Sequence, residues 1–345
     1  MKTNTGNYFE DFEVGQTLIH ATPRTVTSGD VALYQALYGG RFALQSSDAF
    51  AQAMGYARAP VDNLLAFHIV FGKSVPDVSL NAVANLGYAE CRFLKPVFVG
   101  DTLTAISEVI GLKQNSNGKT GVVYVRTEGR NQVGDIVLTF ARWVMVAKRD
   151  AGAPAPNAIV PELDSRVDPS NLTPPVWAEA SLDAELSGSK FVFDDYEVGE
   201  RIDHVDGITI EEAEHQMATR LYQNTAKVHF NQHAANSGRF KRRLIYGGVI
   251  ISIARALSFN GLGNVLEIGA INGGQHAAPA FAGDTIYAWS EVLDKSRISD
   301  GVGALRLRLV ATKDLPATEY PYKSEDGKVS DGVILDLDYW GLIPA

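Results

Sequence analysis

Apolar and polar positions alternate with a period of two in VVYVRTEG (122–129), IVLTFARWVMV (136–146) and GALRLRLV (303–310). That period is the mark of a strand with one buried face. The turn signals NSNGK (115–119) and NQVGD (131–135) separate such runs. The pattern predicts strands near 83–95, 101–114, 120–131 and 134–148, and again near 264–277, 283–296, 301–313 and 332–342. Helical stretches are predicted over 29–39 and 211–223. Long apolar helices follow at about 61–73 and 247–259, each just ahead of its four strands.

The two series are copies. YFEDFEVGQTL (8–18) returns as VFDDYEVGERI (192–202), and PVFVGDTL (96–103) returns as PAFAGDTI (279–286). The same motifs in the same order at nearly the same offset mean one fold written twice. A long apolar helix followed by a four-stranded meander can bury itself only if the sheet wraps around it. The expected architecture is therefore α+β, a double hot-dog, with the two sheets side by side as one because isolated hairpins are marginal. The domain limits are read as 1–150 and 190–345. The stretch 151–189 carries prolines at 154, 156, 161, 169, 174 and 175, and it is expected to cross the surface as an extended linker.

Composition narrows the classes. The 345 residues suit two modest domains, and 46% hydrophobic with 21% charged residues is the balance of a globular chain. A net charge of −9 argues against a nucleic-acid partner. The single cysteine, Cys91, rules out an intrachain disulfide. The start MKTNTGNYFEDF has no apolar signal core and no membrane-length apolar run follows, so a cytoplasmic protein without a membrane partner is expected. No glycine stretch forms a P-loop or a strand-led GxGxxG, and no serine sits in a GxSxG elbow. His68, on an apolar helix, reads as a core histidine.

Three ordered segments carry chemistry: Asn224-Thr-Ala-Lys-Val-His229, Leu244-Ile-Tyr-Gly-Gly248 and Pro279-Ala-Phe-Ala-Gly-Asp-Thr285. This set resembles the MaoC-like, or (R)-specific enoyl-CoA, hydratases, whose members carry D-x-N-P-[ILV]-H, an aromatic-Gly helix start and P-x-x-x-G-D-T-[LI]. More narrowly, GRFALQSSDAFA (40–51), RAPVDNLLAFHIVFG (58–72) and RLIYGGVIISIARALSF (243–259) resemble the mesaconyl-CoA hydratase family. The resemblance covers nearly the whole chain. It implies reversible hydration of a CoA thioester, mesaconyl-CoA (2-methylfumaryl-CoA) to β-methylmalyl-CoA, with no cofactor and no metal. A plain (R)-enoyl-CoA hydratase and a hot-dog thioesterase are the competing readings. Sheet edges left open by such a fold lead us to expect a homodimer.

The resemblance places the family histidine at His229 and, in the first copy, at Gln45. The family aspartate falls on Asn224 and on Gly40. Gln45 and Gly40 move no proton at neutral pH, so catalysis is assigned to the second copy and substrate binding to the first. An imidazole can act as acid or base near pH 7. Asparagine can accept a hydrogen bond from the water and donate one, but cannot take a proton. Either His229 performs both transfers or a carboxylate stands in, with Asp48, Asp62, Glu214 and Glu267 unranked. Gly247 and Gly248 open the second apolar helix, where free N–H groups suit a thioester oxygen gaining charge. For the CoA arm the expectation falls on Pro60, Val61, Asp62 and Asn63, on Asn85, Leu86 and Gly87, and on Leu94, Lys95 and Pro96. A substrate carboxylate calls for a cation, and Arg41 and Lys227 are the leading choices, ahead of Arg58, Arg239, Lys241, Arg242 and Arg243, which flank the helix starts.

Overall fold

The computed structural model describes residues 2–179 and 182–345. The first copy supplies β1 (Thr17–Thr25), β2 (Ala82–Phe93), β3 (Thr102–Gln114), β4 (Thr120–Arg130) and β5 (Ile136–Ala147). The second supplies β6 (Arg201–Thr209), β7 (Glu267–His276), β8 (Thr285–Ser299), β9 (Val302–Lys313) and β10 (Val333–Pro344). They form one sheet in the order β1-β3-β4-β5-β2-β7-β10-β9-β8-β6. The halves mirror each other across the antiparallel β2–β7 pair, where Tyr88 faces Gly274 and Arg92 faces Ala270. The sheet curls around two central helices, Asn63–Ser74 and Gly247–Leu257, in one shared apolar core. This is the double hot-dog.

Two features depart from the sequence reading. Only three strands of each copy form a meander, β3–β5 and β8–β10; β2 lies beyond β5 and β7 beyond β10, so the chain crosses over after the first long strand of each copy. The second departure is at the edges, where β1 and β6 were not anticipated. Each has a single buried residue, His20 or His204, so neither shows the alternation that betrays a half-buried strand.

The two central helices start differently. Asp62 caps the first through its carboxylate, which accepts the Leu64 N–H at 2.8 Å. The second has no side-chain cap within its own turn. A single π turn, Val75–Ser79, continues the first helix. The halves meet closely at Gly72, where an added Cβ would lie 1.8 Å from the Tyr222 carbonyl oxygen.

The stretch 151–189 is more than a surface strap. Val167, Leu172 and Trp177 are buried in a second cluster against the outer side of the sheet. Trp177 donates its indole N–H to Glu267 at 2.9 Å, and Trp340 donates its own to the Val167 carbonyl at 2.9 Å. Proline-rich composition correctly denies this segment regular structure, but it says nothing of three large apolar side chains that seek cover.

Candidate active site

A cavity of about 940 Å³ opens between the halves. The second copy supplies the loop and short turn at 224–229, the segment 234–240, the helix start at 244–247 and the strand end at 276–280. The first copy supplies Phe71, Tyr88, Arg142 and residues 79–85.

His229 sits on the single turn Lys227–Phe230 and lines this cavity. Its Nδ1 lies 2.9 Å from the Leu244 carbonyl oxygen, which can only accept. The proton is thereby held on Nδ1, and Nε2 keeps a free lone pair. Burial holds the pKa of His229 below the ordinary imidazole value, partly opposed by the Leu244 carbonyl. The ring is neutral at pH 7 and ready to take a proton.

Asn224 is 1% exposed and also lines the cavity. Its Oδ1 accepts the Ala226 N–H at 3.2 Å, which leaves the amide NH₂ as its free group. Position 224 therefore presents a donor rather than the acceptor that its side chain could also have offered.

The helix start at Gly247 is prepared from behind. The Tyr246 N–H, which a helix-capping side chain would otherwise satisfy, donates to His215 Nε2 at 3.0 Å. The next N–H, on Gly247, has no carbonyl within the helix to reach. Gly247 is part of the cavity wall, whereas Gly248 is buried and does not line it. A Cβ on Gly248 would press on the rings of Tyr246 and His68, so its small size serves packing. The expected role of Gly248 in binding an oxyanion is corrected to this one.

His276 lines the cavity beside Gly247, is half-buried, and bonds nothing through its buried Nε2. Burial, reinforced by His229, pushes its pKa down to about 4. Sequence reasoning passed over His276 because no motif surrounds it. Its only signal was position, at the end of the strand before PAFAGDT.

No aspartate or glutamate lines the cavity among the described residues. The four stand-in carboxylates are engaged elsewhere or face away. Asp48 accepts the Ala59 N–H, Asp62 caps the first helix, and Glu267 is buried under Tyr56 and Trp177. Glu214 is half-buried on the helix Glu212–Leu221, outside the wall. Among the described residues no three histidine, cysteine or acidic side chains are placed to hold a metal, and no helix is long and apolar enough to cross a membrane.

The binding residues expected on the first copy divide sharply. Asn85 lines the cavity, and neither atom of its amide has a partner. Lys227, which belongs to the second copy, lines the mouth and is exposed. Leu86 faces an open groove elsewhere, and Gly87 packs against the Trp143 ring. Pro60, Val61, Asp62 and Asn63, with Leu94, Lys95 and Pro96, gather at the first helix start, outside the cavity. There Val61 donates to the Val97 carbonyl, Asn63 donates to the Ile268 carbonyl, and Lys95 pairs with Asp135. The space beside Asp62 holds about 30 Å³, a water's worth. The reason is the antiparallel β2–β7 pairing: it sends the beginning of β2 to the second copy's motif and the end of β2 to the first copy's helix. Arg41 also lies outside, exposed and stacked over Phe259 at 4.8 Å.

Sequence comparison matches residues 2–321 to the mesaconyl-CoA hydratase family. The chain is 61% identical to a β-methylmalyl-CoA dehydratase of Chloroflexus aurantiacus, over 99% of this chain and 98% of that protein. It is likewise 61% identical to a mesaconyl-CoA hydratase of Cereibacter sphaeroides, over the full length of both. A crystal structure of a MaoC domain dehydratase from Chloroflexus aurantiacus superposes with a TM-score of 0.96 at 60% identity, covering 100% of this chain and 99% of that one. A paired hot-dog with one copy that keeps the histidine, a glycine helix start and likeness along its whole length places the chain in the mesaconyl-CoA hydratase family.

Proposed function

We propose that this chain is a hydro-lyase that adds water reversibly to mesaconyl-CoA, giving β-methylmalyl-CoA, without a cofactor. The observation that carries the reading is the free Nε2 of His229 beside the Gly247 helix start, in a chain alike end to end to relatives named for this reaction. The thioester oxygen takes the Gly247 N–H, which draws electron density off the double bond. Water accepts from the Asn224 NH₂ and gives a proton to His229 Nε2 as its oxygen bonds the carbon β to the thioester. The negative charge collects on the thioester oxygen. The imidazolium then returns the proton to the α-carbon, so the elements of water are added and His229 is regenerated. A cavity wall free of carboxylates supports His229 as both acid and base, and it counts against a thioesterase that needs a carboxylate. Lys227 and Arg239, both exposed at the mouth, suit the phosphates of CoA.

The decisive experiment follows the absorbance of the enoyl-thioester band with mesaconyl-CoA and crotonyl-CoA, for wild type and His229→Ala. A preference for mesaconyl-CoA that disappears in the variant is expected. Faster turnover of crotonyl-CoA would instead indicate a general enoyl hydratase, and release of free thiol a thioesterase. We further propose a homodimer in the cytoplasm. The open edges at β1 and β6 and the lone, buried Cys91 support it, and light scattering on the purified protein tests the pairing.

A further inference from the structure

We propose that Arg142 receives the free carboxylate of the acyl group and thereby selects a dicarboxylic thioester over a plain enoyl thioester. This rests on the hydration reading above. Arg142 stands on β5, is 1% exposed and lines the cavity. Its guanidinium donates to Ser74 Oγ at 2.7 Å and to Ser79 Oγ at 3.4 Å, and lies 4.2 Å over the Phe71 ring. Its Nε has no partner, and no carboxylate among the described residues pairs with it. A buried charge without a counter-ion costs several kcal/mol, so a fold that retains one is complementary to an anion that arrives with a ligand. Burial pushes the pKa of Arg142 down to about 10, against the pull of Tyr88 and Tyr246, so the group remains a cation at pH 7.

The surroundings hold the charge without cancelling it. Ser74 and Ser79 are five residues apart, and in an α-helix that spacing would turn them about 140° away from each other. The π turn Val75–Ser79 brings both hydroxyls to one guanidinium, and such turns recur at functional sites. Arg142 and His229 lie along one aromatic wall. The Tyr246 ring is 5.6 Å from that of His229 and 5.8 Å from that of Phe71, over which the guanidinium sits. The reaction attacks the carbon that bears the substrate carboxylate, so a cation for that group belongs in the same chamber as His229. Depth separates Arg142 from the CoA phosphates, which stay hydrated and find Lys227 and Arg239 at the mouth.

The test compares mesaconyl-CoA with 2-methylcrotonyl-CoA, in which a methyl group replaces the carboxylate. Selectivity is read as the ratio of kcat/KM values, or of inhibition constants where turnover is too slow. In Arg142→Met the ratio should fall about 10²- to 10³-fold, the scale of leaving a buried charge unpaired. Arg142→Lys, which keeps the charge but loses the fork, should fall in between and decides the matter where the methionine variant does not fold. Equal losses on both thioesters would assign Arg142 to structure or to the CoA phosphates and overturn the proposal. So would an unchanged ratio. A wild type that does not prefer mesaconyl-CoA would overturn the parent reading, and this one with it.

Discussion

Replacing Gly247 with alanine tests whether the helix start and His276 are fitted to each other. On helix propensity alone, glycine to alanine should stabilise the protein by about 1 kcal/mol. Contact geometry opposes this. A Cβ at 247 would lie 2.3 Å from His276 Nε2, 2.4 Å from Cε1 and 2.9 Å from Cδ2. Non-bonded carbon prefers separations of roughly 3.5 Å or more, so the imidazole or the first helical turn must retreat by about 1 Å. Overpacking of this kind costs about 1–3 kcal/mol, which more than offsets the propensity gain. A 1 Å misplacement in an active site costs up to about 10²-fold in rate, so kcat should fall by that order while the fold persists. The assay is steady-state hydration of mesaconyl-CoA beside thermal melting of Gly247→Ala, His276→Ala and the double variant. Removing the imidazole should relieve the clash, so the double variant should be less impaired than the product of the single losses. Retention of kcat within about threefold of wild type in Gly247→Ala would refute the fit, as would losses that simply multiply.

Other consequences are as open to measurement. Asn224→Asp replaces the free NH₂ donor with a negative charge in a cavity without carboxylates, so kcat/KM for mesaconyl-CoA should drop at least tenfold, more at pH 8 than at pH 5; a rise would mean that the missing acid limits the enzyme. Gly72→Ala drives a methyl into the Tyr222 carbonyl and should lower stability beyond the usual 1–3 kcal/mol of overpacking, read by denaturant unfolding. Four histidines have folded pKa values depressed by burial, His68 and His215 to about 3 and His204 and His276 to about 4, against 6.5 unfolded. Below pH 6.5 the unfolded chain binds protons that the folded chain refuses, so their contribution is complete above that pH and is lost as pH falls to about 4 for His204 and His276 and to about 3 for His68 and His215. Each adds a slope of about 1.4 kcal/mol per pH unit, and a flat melting temperature from pH 6.5 to 4.5 would contradict this assignment. The depressed pKa of His229 likewise predicts that hydration persists below pH 6.5 before the acid limb is reached.

Much of this was legible along the chain, because it depends on neighbours in sequence. Alternation marked eight strands within a few residues of their ends, apolar runs marked both central helices, and the repeated FEVG and GDT segments announced two copies. The expectation for His229 rests on consecutive residues too, and the turn that carries it lines the cavity. What escaped was decided by pairing across the fold. Edge strands β1 and β6 bury too little to show a pattern. The start of β2 reaches the second copy's cavity, and its end does not, only because β2 runs antiparallel to β7. Arg142 reads as one more charge in an apolar strand until the sheet turns it into the cavity, whose described lining holds no carboxylate. Local chemistry set the elements and the histidine; long-range packing chose which residues share its cavity.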